Sequence, residues 1–221
     1  MVSKTTRMEN VPIGIMKVLY LTPWYPSAKD QMAGLFVQKH VESIQAQGVD
    51  VRVIHSQGWR DLWQQWKQLK RTWGLPDLVQ LNVIQKQGLL ALWLKMRYKI
   101  PFLIVEHWSG YLPESGQFMQ QSTAKRRLAY SIAKHASCIL TVSQTLEKAM
   151  KQCGIQASHW GHVNNIVDEF FYQGVRNQES GVRNLLHVSC FDERAKNTTA
   201  LLQGFSVLCQ QRKDIHLVMV G

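Results

Sequence analysis

A histidine flanked by a carboxylate and a tryptophan, Glu106-His107-Trp108, closes the unbroken apolar run Phe102 to Val105. Neutral imidazole donates from one ring nitrogen and accepts at the other, so His107 can hold a sugar hydroxyl or a phosphate oxygen. The plainer alternative is that His107 and Trp108 only plug the end of a sheet. A second group, Val188 to Thr198, sets Arg194 and Lys196 between a strand end and a helix start. Two cations beside a helix N-terminus suit a diphosphate, although Asp192 and Glu193 would equally pair with them in a solvated turn. Gly34 opens a helix past the first strand, where backbone amides can hold a phosphate and glycine permits close approach. Many such loops carry a glycine simply for the turn. Asn164, Asn165 and Asp168, just before Phe170-Phe171-Tyr172, read either as an ordinary turn with an apolar plug or as a loop facing a cleft.

Several chemistries lack their residues. Cys138, Cys153, Cys190 and Cys209 form no CxxC pair and no metal-ligand spacing with the histidines. Two of them lie in apolar runs, which suits a reducing, cytoplasmic setting. No GxSxG elbow, GxxxxGK[ST] loop or GxGxxG fingerprint occurs. The net charge of +11 calls for an anionic partner, and the excess is local. Twelve lysines and arginines lie between Arg60 and Lys134 against Asp61, Asp77, Glu106 and Glu114. No helix-turn-helix, RRM or zinc pattern accompanies that charge, so nucleic acid is not the expected partner. A tryptophan-rich, lysine-bearing helix over Arg60 to Trp73 leaves peripheral contact with an anionic membrane open, though packing of its tryptophans on a sheet is the simpler reading.

The elements that must position these residues alternate along the chain. Strands are expected at Lys17–Leu21, Val49–Ile54, Leu78–Ile84, the Phe102 run and Ser137–Val142. Helices are expected at Gly34–Gln47, Arg60–Trp73, Gly88–Tyr98, Ala124–His135 and Gln144–Gln152, the last capped by Ser143. Strand–helix–strand repeats make a parallel sheet with helices on its faces, a Rossmann-like α/β fold. Ligands of such sheets bind past the carboxyl ends of the strands, which is where Glu106, His107 and Trp108 fall.

Residues 1–15 read as a disordered leader, 16–168 as the first domain and 169–184 as a polar, glycine-bearing linker. A new βαβ pattern then begins: strand Leu185–Cys190, helix Asn197–Gln211, strand Ile215–Val220. Two strands and one helix leave their faces uncovered, so 185–221 is expected to open a second α/β domain whose remainder lies beyond Gly221.

In order, Thr22-Pro-Trp-Tyr-Pro-Ser27, Gly34-Leu-Phe, Val105-Glu-His-Trp-Ser109, Thr141-Val-Ser143, Val163-Asn-Asn-Ile-Val-Asp168 and Leu186-His-Val-Ser-Cys-Phe…Lys196 resemble the retaining GT-B glycosyltransferases of group 1, the glycogen-synthase-like type that builds bacterial polysaccharides and glycolipids. The resemblance covers about Met16 to Gly221. It implies an N-terminal acceptor domain followed by a nucleotide-sugar domain. The implied reaction moves a sugar from a nucleoside diphosphate to a hydroxyl of a glycan or lipid-linked acceptor, with no metal and no cofactor beyond the donor. On the same resemblance His107 contacts the transferred sugar, Gly34 lies near the donor phosphates, Asn165 and Asp168 border the cleft, and Lys196 neutralises the diphosphate. One departure is plain. The family's Gly-Arg pair at the end of the first donor-domain strand is Ser189-Cys190 here, leaving Arg194 as the neighbouring candidate cation. The family's site also needs a half from each domain, and its paired-glutamate motif lies beyond Gly221, so the chain alone is expected to have little transferase activity. A different class of function, a non-catalytic module binding an acceptor or polyanion through its basic surface, fits the same charge pattern.

Overall fold

The computed structural model describes residues 15–167, 172, 182–189 and 191–221, apart from the side chains of Arg194 and Ala195. The leader, Asp168, most of the linker and Cys190 lie outside the described residues. Contacts divide the chain into two compact units, Met1–Val167 and Asp168–Gly221.

Unit 1 alternates strand and helix: β1 (Lys17–Thr22), α1 (Leu35–Gln45), β2 (Asp50–His55), α2 (Trp59–Trp73), β3 (Leu78–Asn82), α3 (Gly88–Tyr98) and β4 (Phe102–Glu106). A 3₁₀ turn at Ser109–Tyr111 and the short α4 (Gln117–Gln120) follow, then α5 (Thr123–His135), β5 (Cys138–Thr141), α6 (Gln144–Gln152) and β6 (Trp160–His162). The six strands form one parallel sheet in the order β2-β1-β3-β4-β5-β6. Central strands are apolar on both sides, as burial of both faces requires. On one face Val18, Tyr20 and Val51 pack with Val37 and Val41 of α1. On the other a larger core joins Leu19, Leu81, Phe102 and Ile104 to Leu62 and Trp66 of α2, Leu90 of α3 and Ile132 of α5. Three of the four tryptophans of α2 are drawn into that layer: Trp66 is buried, Trp63 meets Trp93 edge to face, and Trp73 donates its indole N–H to Asp50 at 2.6 Å.

Unit 2 holds β7 (Arg183–Val188), α7 (Glu193–Lys196), α8 (Thr198–Gln211) and β8 (Ile215–Val220), with β7 and β8 paired in parallel. Its strand and helix carry exposed apolar side chains, among them Leu186, Val188 and Val207.

Three differences from the sequence expectation have local causes. The strand expected to reach Ile84 ends at Asn82, because Val83 turns to φ 58° and the N–H of Ile84 bonds to the Glu106 carboxylate instead of a neighbouring strand. Trp160-Gly161-His162, to which no element is assigned from sequence, is an edge strand against β5; three residues are too few to show alternation. The first strand of unit 2 spans Arg183–Val188, so it begins inside the stretch expected as linker. Among the described residues no helix is long and apolar enough to cross a membrane.

Candidate functional site

The candidate site forms at the carboxyl edge of the unit 1 sheet, where β3 and β4 end side by side. Glu106 is the last residue of β4 and its side chain is wholly buried. One carboxylate oxygen accepts the backbone N–H groups of His107 and Trp108, each at 3.0 Å. The other accepts the N–H of Ile84 at 2.9 Å. Burial pushes this carboxyl up to about 7, against the pull of those three N–H donors toward the ionised form. Glu106 therefore does not line a cleft, as the sequence suggested. It faces inward and fixes the two loops that do.

Neighbouring residues of a strand point to opposite faces, so His107 emerges on the α1 side. Its ring lies against Phe36, with centroids 4.4 Å apart, and meets His40 at 6.1 Å with the planes at 65°. Burial first, and then His40, lower its pKa to about 4. At neutral pH it is an uncharged imidazole, and its buried Nε2 has no hydrogen-bond partner among the described residues. His40 in turn lies 3.2 Å through its Nε2 from the carbonyl oxygen of Asn164, the residue before the exposed Asn165. That contact ties the loop after β6 to α1.

His40 was missed from sequence, although a signal existed. It stands three residues after Val37 and four before Ile44, on the apolar face of α1, where a histidine needs a reason.

Gly34 sits at the N-cap of α1 with φ 70°. A Cβ there would fall 2.4 Å from the carbonyl carbon of Trp24 and 2.7 Å from the nitrogen of Tyr25. Glycine is thus required because the Pro23–Pro26 turn crosses the start of the helix. The same approach brings Trp24 edge-on to Phe36, and Phe36 onto His107.

Trp108 turns to the other side. Its ring covers Gly110, where a Cβ would come within 2.1 Å of it, and it packs edge to face on Tyr111. It also forms one wall of a cavity of about 470 Å³ between the loop after β3 (Val83–Lys86) and, on the other side, Gln121 just before α5 with Lys125, Leu128, Ala129 and Ile132 of that helix.

Of the residues assigned from sequence to the donor, Lys196 is exposed at the end of α7, its N–H bonded to the carbonyl of Asp192 at 2.8 Å. The Arg194 side chain and Asp168 lie outside the described residues. Ser189, in the first position of the altered Gly-Arg pair, is engaged locally: its hydroxyl accepts the N–H of Phe191 and lies 2.8 Å from Nε2 of His187.

Residues 38–161 match the model of the glycosyl transferase 4-like domain. The chain belongs to that family. The matched span contains His40, Glu106, His107 and Trp108 together with every wall of the cavity. No curated protein sequence gives a significant match. Among solved structures, the chain resembles sucrose-phosphate synthase from Thermosynechococcus elongatus at 14% identity and a TM-score of 0.64, over 93% of this chain and 71% of that one. It also resembles a Staphylococcus aureus MnaA structure with UDP, at 14% identity and a TM-score of 0.54, over 93% of this chain and 61% of that one. A third similar structure is the UDP-GlcNAc 2-epimerase of Methanocaldococcus jannaschii, at 13% identity, a TM-score of 0.51 and 65% of its length. At such identities the likeness speaks for fold alone, and the fold is of the GT-B type. The chain spans about three fifths of the length of the MnaA relative.

Proposed function

We propose that this glycosyl transferase 4-like chain supports transfer of a sugar from a nucleoside diphosphate to a hydroxyl of a glycan or glycolipid acceptor, with retention at the anomeric carbon. The observation that carries the reading is His107: a neutral imidazole at the carboxyl edge of the sheet, held by the Glu106 carboxylate through its backbone, with a buried and unpartnered Nε2. A group so placed hydrogen-bonds a sugar hydroxyl without a proton being moved first. Two structural relatives, MnaA with UDP and a UDP-GlcNAc 2-epimerase, support a nucleotide-sugar ligand.

Negative charge grows on the leaving diphosphate as the glycosidic bond breaks, so cations that meet it lower the barrier most. Lys196 is the candidate for that task, with Arg194 second, while Asn165 and Asp168 would border the cleft. Among unit 1 residues, Gly34 would set the start of α1, with the turn packed on it, near the donor's phosphates. No cofactor is needed beyond the sugar nucleotide itself.

The test is a screen of nucleoside diphosphate sugars with the protein as its gene encodes it, followed by NMR assignment of the anomeric configuration of the product. Transfer with retention is the expected result. Inversion overturns the retaining assignment, and failure to consume any sugar nucleotide overturns the transferase reading.

A further inference from the structure

We propose that the cavity between the loop after β3 and α5 is the acceptor's binding site, and that it selects an acceptor whose sugar or polyol ring carries a phosphate. This rests on the transferase reading above and adds the chemical class of the second substrate. The cavity's volume of about 470 Å³ suits a ligand of one or two rings. Two cations, Lys86 and Lys125, stand among its walls, and no carboxylate does. Neither pairs with an acidic side chain among the described residues; Lys86 is steadied by the carbonyl of Gln57, which leaves its charge uncompensated. The start of α5 borders the same space, since Gln121 precedes the helix and Lys125 lies within its first turn, where the Ser122 hydroxyl accepts the Lys125 N–H. A helix N-terminus and two lysines favour one kind of group, a phosphate.

The remaining walls explain why the ligand is more than inorganic phosphate. Trp108 presents an aromatic ring, and Leu128 with Ile132 an apolar floor, which suit the C–H face of a ring or the first carbons of a lipid. Glu106 fixes this shape, because one carboxylate bonds Ile84 on one wall and Trp108 on the other. The same carboxylate sets His107, so the acceptor cavity and the sugar-contacting imidazole share one anchor.

Two sources share this chemistry, a free sugar phosphate and the headgroup of a phospholipid. Calorimetric titration of the chain with glucose 6-phosphate probes the first, and with phosphatidylinositol in neutral detergent micelles the second. Glucose and phosphatidylcholine micelles serve as the uncharged-sugar and wrong-headgroup controls. We expect saturable binding of at least one phosphorylated probe, at least tenfold tighter than its control. The double variant Lys86→Ala/Lys125→Ala and the cavity-filling Leu128→Trp should each weaken it at least tenfold with the thermal midpoint retained, whereas Lys67→Ala/Lys70→Ala on α2 should not. Binding of glucose 6-phosphate alone assigns a free acceptor; binding of phosphatidylinositol alone assigns a lipid one. Equal affinity for the unphosphorylated controls, indifference to the cavity variants, or no binding of either phosphorylated probe overturns the proposal. If binding holds while no sugar nucleotide is ever turned over, the transferase reading fails and the phosphate site stands. If transfer occurs but the acceptor's KM ignores Lys86→Ala/Lys125→Ala, only the site proposal falls.

Discussion

The Glu106 carboxylate accepts the backbone N–H of Ile84 at 2.9 Å, joining the ends of two adjacent parallel strands through a side chain that solvent does not reach. Three backbone donors depend on this one group. Removing it leaves buried N–H groups without partners, at about 1–3 kcal/mol each where water cannot replace it. Glu106→Ala should therefore cost roughly 3 kcal/mol and lower the thermal midpoint by about 6–12 °C. An unchanged midpoint in a calorimetric scan would show that the loops after β3 and β4 hold themselves.

Glu106 and His107 titrate in opposite senses. The folded pKa of His107 is held down at about 4, below its ordinary 6.5. Its contribution to stability is complete above 6.5 and lost as pH falls toward 4. The folded pKa of Glu106 is raised from 4.5 to about 7. Its contribution is complete below 4.5 and lost as pH rises through 7. Between those values the two slopes oppose. His107→Gln removes only the first, so the variant should gain stability relative to the parent on going from pH 7 to pH 5. Urea titrations at the two pH values measure the difference; a gap that does not change with pH contradicts the buried, neutral histidine.

Gly34 and Gly48 both have positive φ, at 70° and 83°, but only Gly34 has backbone packed against it. Gly48→Ala should cost about 1 kcal/mol, the strain of a left-handed residue with a side chain. Gly34→Ala adds a collision with the Trp24 carbonyl and should cost at least twice as much. Equal losses in denaturant midpoint would mean the Pro23–Pro26 turn yields freely.

The tryptophans of α2 are not alike. Trp66 is 1% exposed in the core, whereas Trp59 is 45% exposed. Trp66→Ala should destabilise unit 1 by about 3–5 kcal/mol, and Trp59→Ala should stay within about 1 kcal/mol. Comparable losses would remove the argument that this helix uses its aromatic face for the core.

Much of the fold was legible because the apolar runs of a doubly covered parallel sheet are long and bounded by Gly, Pro and capping residues. Helices Gly88–Tyr98 and Gln144–Gln152 have the limits read from sequence, and the hydroxyl of Ser143 does accept the N–H of Leu146 at 3.1 Å. What escaped was set by tertiary contact. The edge strand Trp160–His162 takes its form from β5, and the end of β3 from a carboxylate 22 residues away. In the site, sequence picked out the Glu106-His107-Trp108 triplet but not its division of labour. Alternation sends His107 toward α1 and Trp108 toward α5, while Glu106 stays inside. His40 and the lysines of the cavity come from elements distant in sequence, so no local spacing could group them with His107.

The central claim is that His107 contacts the sugar being transferred. The most direct measurement is the rate of sugar transfer by His107→Ala beside the parent, in the protein as its gene encodes it, with thermal midpoints recorded for both. The account predicts a turnover lower by on the order of 10²-fold, the usual loss when one preorganised polar contact to a transition state is removed, while the midpoint shifts by only a few degrees. Turnover equal to that of the parent would contradict it and leave His107 a plug at the end of the sheet.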